Sequence, residues 1–345
     1  MHKDNRTPFD RLREKDTVQE RFLVAEKQLA FTREGKAYLK LALMTRAGRI
    51  EGILWENAEA ESQRFSQGDV IEVQGTVVLY QGERKIRLQR ISTPNPDGVR
   101  KEDYLPCSSR SYEEMEGELN RTVRKVKNPF LRHLLEAIFR DPVIWKAYRC
   151  APAAKSVHHA YLGGLLEHTL SLARLVGLAT QNYPFLDADL VLAGALVHDL
   201  GKAWELCPEL GFEYTNEGRL LGHIVIGLEI LEKKIREVPD FPAPLAMHLK
   251  HIVASHHGEL EFGSPKQPQT LEALCLHALD NLDAKLCGVH QFVQREIRDT
   301  ERWTSFHRVH ERYFYVPEPV ARGGATVKDA PEPAAEEETP DLFGG

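Results

Sequence analysis

Seven imidazole and carboxylate side chains interrupt apolar helical stretches in the second half of the chain, in the order His168, His198-Asp199, His223, His256-His257 and Asp280. An unpartnered polar group in apolar surroundings costs several kcal/mol. Whatever fold buries these positions must therefore supply them with a partner. Imidazole and carboxylate together suit Zn, Mn or Fe(II). One buried histidine is commonly a core residue bonded to a carbonyl. Five separate insertions are explained together by one metal centre, binuclear, inside a helical bundle.

The local patterns agree. His168 sits in the apolar stretch 162–170, and His198-Asp199 end the stretch 191–197, with Gly201 and Lys202 following. Neighbouring side chains on a helix diverge by about 100°. Two adjacent ligands therefore suit a centre that wraps a helix end, and a carboxylate there can bridge two cations. His223 lies in the apolar run 220–227. His256 continues the stripe Leu249, Ile252, Val253, while His257 can share that face and Gly258 can stop the helix. Asp280 occupies a helix that is apolar almost all round, so its carboxylate needs a metal cation or, in the competing reading, a salt bridge to a lysine or arginine elsewhere. His248, His251, His277 and His290 read as packing or surface residues.

Length and charge bound the rest. The 345 residues suggest two domains or three. Five scattered cysteines without a CxxC pair argue against a disulfide framework or thiolate zinc, and for a reducing cytoplasm. The charged N-terminus does not read as a signal peptide, and no apolar run is long enough to span a bilayer. Of the formal charge of −6, the segment 328–345 carries −5, from one lysine against six acids. The body is nearly neutral with local basic clusters, which leaves a phosphodiester substrate open.

Residues 17–93 alternate with period two and carry glycines inside the runs. That pattern predicts a small five-stranded barrel of OB type, with a helical insert near 56–65. Residues 94–127 read as a proline-punctuated linker followed by a charged helix, with Ser111 and Glu114 spaced as a capping box. An all-α domain is expected over 128–316, its helices starting at Asn128-Pro129, Asp141-Pro142 and after Asp240. Residues 317–345 read as a disordered acidic tail whose Leu342-Phe343 pair can serve a protein partner as a docking peptide. The bland reading, a terminus with no role, carries more weight.

The order H…HD…H…HH…D resembles the HD superfamily of metal-dependent phosphohydrolases. His168, His198, Asp199 and Asp280 match its basic set. His223 and the His256-His257 pair match the additional ligands of its binuclear members. The agreement extends to residues 156–169, 198–202, 254–258 and 279–285. With the OB-like segment and the Tyr104-Leu105-Pro106 linker, residues 17–315 resemble the YhaM-type 3′-to-5′ exoribonuclease family. No Gly-Tyr-Pro follows His256-His257, which argues against a cyclic-dinucleotide phosphodiesterase of the HD-GYP type.

The resemblance implies a metal-dependent exonuclease that acts on single-stranded RNA, with DNA also open, and releases nucleoside 5′-monophosphates. It implies two divalent cations, Mn²⁺ or else Fe²⁺. One would be held by His168, His198, Asp199 and Asp280, the other by Asp199, His223, His256 and His257, with Asp199 bridging. Lys202 is expected to neutralise a phosphate oxygen, with a helix-end cation as the competing reading, and His159 or His158 to contact phosphate or protonate the leaving oxygen, a structural role being equally weighted. On the barrel, Tyr38 and Tyr80 flanked by Arg84, Lys85, Arg87 and Arg90 form an expected platform for a single strand. An equally weighted reading has the tyrosines filling the barrel. Two alternatives stand beside this: a nucleotide or cyclic-dinucleotide phosphohydrolase, and an inert nucleic-acid-binding protein with a structural metal. A homo-oligomer is left open.

Overall fold

The computed structural model describes residue 9 and residues 12–46, 48–80, 83–93, 101–155, 159–207, 212–296 and 302–317. It divides into two compact units, Met1–Gln291 and Phe292–Gly345. The expected tail with Leu342-Phe343 lies outside the described residues, as does His158.

The first unit begins with β1 (Thr17–Phe31), β2 (Ala37–Thr45), β3 (Gly48–Leu54), the short helix α1 (Ala58–Ser62), β4 (Val70–Tyr80) and β5 (Glu83–Ser92). The strands close into a barrel of order β1-β2-β3-β5-β4, all antiparallel except the β3–β5 pair. Alternation fills the interior: Leu39, Leu41 and Leu43 from β2, Ile71, Val73 and Val77 from β4, and Ile86 and Leu88 from β5. Gly75 marks the sharpest constraint. A Cβ there would lie 2.6 Å from both the Arg87 carbonyl oxygen and Ile86 Cγ2. The β4–β5 register shifts at Gln74/Gly75, where the strand bends to close the barrel.

Strand β2 departs from simple alternation because both its faces are covered. Ala42 and Met44 point out of the barrel into a second core with Leu23, Ala25, Tyr104, Leu105, Leu162 and Phe212. The linker is therefore part of the packing. A 3₁₀ turn spans Lys101–Tyr104, and Asp103 pairs with Arg46 at 3.1 Å. Leu162 N–H donates to the Pro106 carbonyl at 2.9 Å, and Ser108 N–H donates to the Leu162 carbonyl at 3.0 Å.

Helices follow: α2 (Tyr112–Lys125), α3 (Pro129–Phe139), α4 (Pro142–Cys150), α5 (Gly164–Asn182), α6 (Ala188–Val197) and α7 (Lys202–Glu205). A two-strand ribbon, β6 (Leu206–Cys207) with β7 (Glu213–Tyr214), precedes α8 (Asn216–Glu237), α9 (Ala243–Ser255) and α10 (Leu271–Glu296). The starts of α2, α3 and α4 obey the capping rules, whereas Pro242 ahead of α9 makes no side-chain cap bond. Asn128 and Asp141 each accept two amides ahead of a proline, and Ser111 accepts from Glu114 N–H at 3.1 Å. Glu114 does not return the bond, because its carboxylate is held by Arg110 at 2.8 Å. Helices α3, α5, α6 and α9 share the main core, with α6 buried almost all round. All five cysteines are free. Among the described residues no helix is long and apolar enough to cross a membrane.

Leu105, 1% exposed, joins barrel strands to Leu162 and Phe212. Leu105→Ala is expected to lower the unfolding free energy by about 2–5 kcal/mol. Equilibrium urea denaturation checks this. A change within error would mean that the second core contributes no stability.

Candidate metal centre

Five helix segments converge. His168 projects from the buried face of α5, His198 and Asp199 from the end of α6, His223 from α8, His256 and His257 from the end of α9, and Asp280 from α10. Their ligand atoms fall into two groups, His168–His198–Asp280 and His223–His256–His257, each with all atoms within 4.8 Å of one another. Asp199, 3% exposed, stands between them. Its Oδ2 lies 3.2 Å from His198 Nε2 and 3.8 Å from His168 Nε2. Its Oδ1 lies 3.4 Å from His223 Nε2 and 3.5 Å from His256 Nε2. One carboxylate thus addresses both halves of the cluster. All seven expected metal ligands come together.

The imidazoles are oriented from behind. His198 Nδ1 sits 2.9 Å from the Ala195 carbonyl, and His256 Nδ1 sits 2.7 Å from the Val253 carbonyl. His168 Nδ1 meets Asp283 Oδ2 at 2.8 Å, and His223 Nδ1 meets Glu205 Oε1 at 3.1 Å. Carbonyl and carboxylate oxygens only accept, so Nδ1 donates in all four rings. In the neutral ring this leaves Nε2 as a lone pair facing the others, the tautomer that metal-binding histidines need. His168 Nε2 and His198 Nε2 are only 3.4 Å apart. Asp199 Oδ1, His223 Nε2 and His256 Nε2 are buried without a hydrogen-bond partner. Such a set of orphaned acceptors is costly unless a cation answers it. The donors present therefore fit divalent cations of the imidazole- and carboxylate-binding kind.

Backbone geometry places two of these segments. Gly222, at φ 74°, breaks α8 one residue before His223. This leaves the His223 N–H free to donate to Glu205 Oε1 at 3.1 Å, so one carboxylate grips both backbone and ring. Gly201 follows the His198-Asp199 turn, where a Cβ would collide with the His223 carbonyl. Only glycine lets that turn approach α8 closely enough for Asp199 to reach His223.

The electrostatics follow from burial and charge together. Burial alone would raise Asp199, but Lys202 and His198 hold it well below the usual carboxylate range. Burial would lower His168, yet Asp280 and Asp283 push it up to about 9. A ligating imidazole must be neutral, so a cation would take the place of that proton. Lys202 Nζ sits 2.7 Å from Asp199 Oδ2, its pKa raised against burial by Asp199. It is the cation nearest the Asp199 carboxylate among the described residues. His159 lies behind His168, with ring centroids 5.8 Å apart and Nδ1 2.7 Å from the Tyr161 hydroxyl. Burial and then the charge on His168 lower its pKa.

The barrel residues divide. Tyr38 stacks on Trp55 at 4.9 Å, on the outer face of β2 and β3. Register puts Lys40, Ile53 and Arg87 side by side on that face, with Glu51 beside Lys85. Glu51 pairs with Lys85 at 2.8 Å and Lys40 at 2.9 Å. Tyr80 is exposed and carries Lys85 Nζ 5.0 Å from its ring. Arg84 alternates to the opposite side, where its Nε donates to the Leu12 carbonyl at 2.8 Å. Sequence reading missed Trp55, Glu205 and Asp283. The spacing of Asp283 from Asp280 was a usable signal, since three residues return a helix to one face.

Asp283→Asn keeps the shape but weakens the acceptor behind His168. Metal affinity is expected to fall about 10- to 100-fold, read by isothermal titration with Mn²⁺. Unchanged affinity would show that Asp283 does not tune the centre.

A family model for the HD domain matches residues 165–285. The 3′-5′ exoribonuclease YhaM of Bacillus velezensis (strain FZB42) is 32% identical over 307 residues, covering 88% of this chain and 95% of that protein. YhaM of Bacillus subtilis (strain 168) is 31% identical over 303 residues, with the same coverages. YhaM of Listeria innocua is 32% identical over 272 residues, covering 79% of this chain and 86% of that protein. The HD domain of the Listeria monocytogenes phosphodiesterase PgpH, at 20% identity, aligns with 46% of this chain and 77% of its own with a TM-score of 0.30, too loosely to add to the argument. End-to-end similarity of this degree, spanning barrel and helices together, places the chain in the YhaM family of 3′-5′ exoribonucleases.

Proposed function

We propose that the chain is a metal-dependent phosphodiesterase, a 3′-to-5′ exonuclease on single-stranded RNA that releases nucleoside 5′-monophosphates. The observation that carries this reading is Asp199, whose two oxygens face two separate histidine sets. In this reading His168, His198, Asp199 and Asp280 hold one divalent cation, and Asp199, His223, His256 and His257 hold the other. Mn²⁺ is the proposed metal. Two such cations supply Lewis-acid polarisation of a phosphoryl oxygen and bring the pKa of a water toward about 7.

The chain's own groups do the rest. The Lys202 ammonium, ion-paired to Asp199 and largely buried, offers positive charge to a non-bridging phosphate oxygen. Asp283 and Glu205 keep His168 and His223 in the ligating tautomer. His159 and Tyr161 brace the back of His168. On the barrel, Tyr38 with Trp55 presents a paired aromatic face beside Lys40, Lys85 and Arg87. Such a face holds bases without reading their sequence. A nucleotide phosphohydrolase would have no use for that module.

Asp199→Ala is expected to abolish Mn²⁺ binding and hydrolysis of single-stranded RNA while the circular dichroism spectrum stays native. The parent protein, assayed with Mn²⁺ on single-stranded RNA, single-stranded DNA and small nucleotides, is expected to favour the RNA. Retained nuclease activity in the variant, or a parent active only on small nucleotides, would overturn the reading. Tyr38→Ala with Trp55→Ala is expected to weaken single-strand affinity by about 1–3 kcal/mol for each base unstacked. Anisotropy of a labelled oligonucleotide checks this, and unaltered binding would remove the barrel face from the substrate path.

A further inference from the structure

Four aromatic rings in residues 303–315 stand in solvent: Trp303 is 60% exposed, Phe306 48%, Tyr313 58% and Tyr315 54%. They belong to the second unit, where the chain folds back on itself. Trp303 bridges Tyr315 and His307 bridges Arg312, both antiparallel. Thr304 N–H donates to the Phe314 carbonyl at 3.0 Å, and Val316 N–H donates to the Arg302 carbonyl at 2.8 Å. One side of this hairpin is packed. Thr304 is 4% exposed, and Phe314 lies edge-on to Phe292, His307 and His310. Alternation then sends Trp303, Tyr313 and Tyr315 to the other side. There the rings pair, Trp303 with Tyr315 at 5.1 Å and Phe306 with Tyr313 at 5.3 Å.

Rings left in water in such a cluster mark a binding surface, and the charge says for what. Residues 302–317 contain Arg302, Arg308 and Arg312 against Glu311 alone, a net +2 within a chain of −6. Arg308 and Arg312 are exposed and neighbour the rings in sequence, with Arg312 Nε donating to the His310 carbonyl at 2.8 Å. A second copy meeting this face by two-fold symmetry would oppose arginine to arginine. Paired π-faces rimmed by guanidinium groups suit unpaired bases joined by phosphates.

We propose that the hairpin 302–316 is a second strand-binding platform. It stacks bases of single-stranded RNA on Trp303–Tyr315 and Phe306–Tyr313, while Arg308 and Arg312 take adjacent phosphates. This deepens the exoribonuclease reading and rests on it for the identity of the strand. Two modest sites on one chain raise affinity for a long strand and leave a short one unaffected.

The test uses the full chain, a long labelled oligouridylate with EDTA present, and fluorescence anisotropy. Trp303→Ala with Tyr315→Ala is expected to weaken binding about tenfold or more, and Trp303→Phe with Tyr315→Phe to restore it. Arg308→Gln with Arg312→Gln is expected to lower the salt slope of log Kd by about 0.7 per arginine. Because the alanine variant can fail to fold, the phenylalanine and glutamine variants are read independently, each after a thermal melt. Binding within about twofold of the parent and an unchanged salt slope would overturn the platform. So would a variant that halves the mass by light scattering, or one that loses sedimentation with anionic vesicles while still binding RNA. Hydrolysis of bis(p-nitrophenyl) phosphate with Mn²⁺, a substrate without a base to stack, separates the two proposals. A parent that binds through the rings but cleaves no RNA sinks the exonuclease reading alone. A parent that cleaves RNA while the variants bind equally sinks the platform alone.

Discussion

A buried carboxylate surrounded by imidazole nitrogens organises this protein. Asp199 is held almost out of solvent with Oδ1 lacking any hydrogen-bond donor and with four Nε2 atoms within 3.8 Å of one or other oxygen. Leaving such a group in an apolar bundle is expensive. Two features make the arrangement tolerable. Lys202 supplies a full positive charge at 2.7 Å, and the histidine side of the cluster is built to accept cations. The rest of the helical fold brings α5, α6, α8, α9 and α10 to this one carboxylate.

Precision comes from behind the ligands. Two rings are fixed by carbonyls at the ends of their own helices, Ala195 for His198 and Val253 for His256. These anchors are local and form with the helix. The other two are fixed by carboxylates distant in sequence, Asp283 for His168 and Glu205 for His223. These require the tertiary fold. The two pairs differ in what would disturb them: helix-end fraying for the first, movement of α10 or α7 for the second. Gly201 and Gly222 are the backbone conditions that bring α7 and α8 close enough for that second kind of anchor.

The barrel and the linker show how packing overrides a clean pattern. Alternation with period two, which covers 37–43, predicted a barrel strand there. In the structure Ala42 and Met44 are covered by Tyr104, Leu105, Leu162 and Phe212. The linker's prolines signalled a break between domains, while its Tyr104 and Leu105 side chains join the barrel to Leu162 and Phe212. Among the nucleic-acid candidates, Lys85 and Arg87 share the outer face with Tyr38, and Arg84 is turned away by the strand's period of two. That period was readable in advance. Its phase was not, because it depends on which residues the barrel encloses.

The sequence alone determined the identity of the metal-capable positions, their helical setting, the barrel ahead of them and the family resemblance. Those features live in composition, spacing and order, which are one-dimensional. Only the tertiary structure decided that Asp199 turns one oxygen to each histidine set, that Asp283 and Glu205 stand behind His168 and His223, and that Trp55 lies against Tyr38. Each of these joins residues through space, with Asp283 lying 115 residues from His168. Their meeting is set by how helices and strands pack, which no local pattern records.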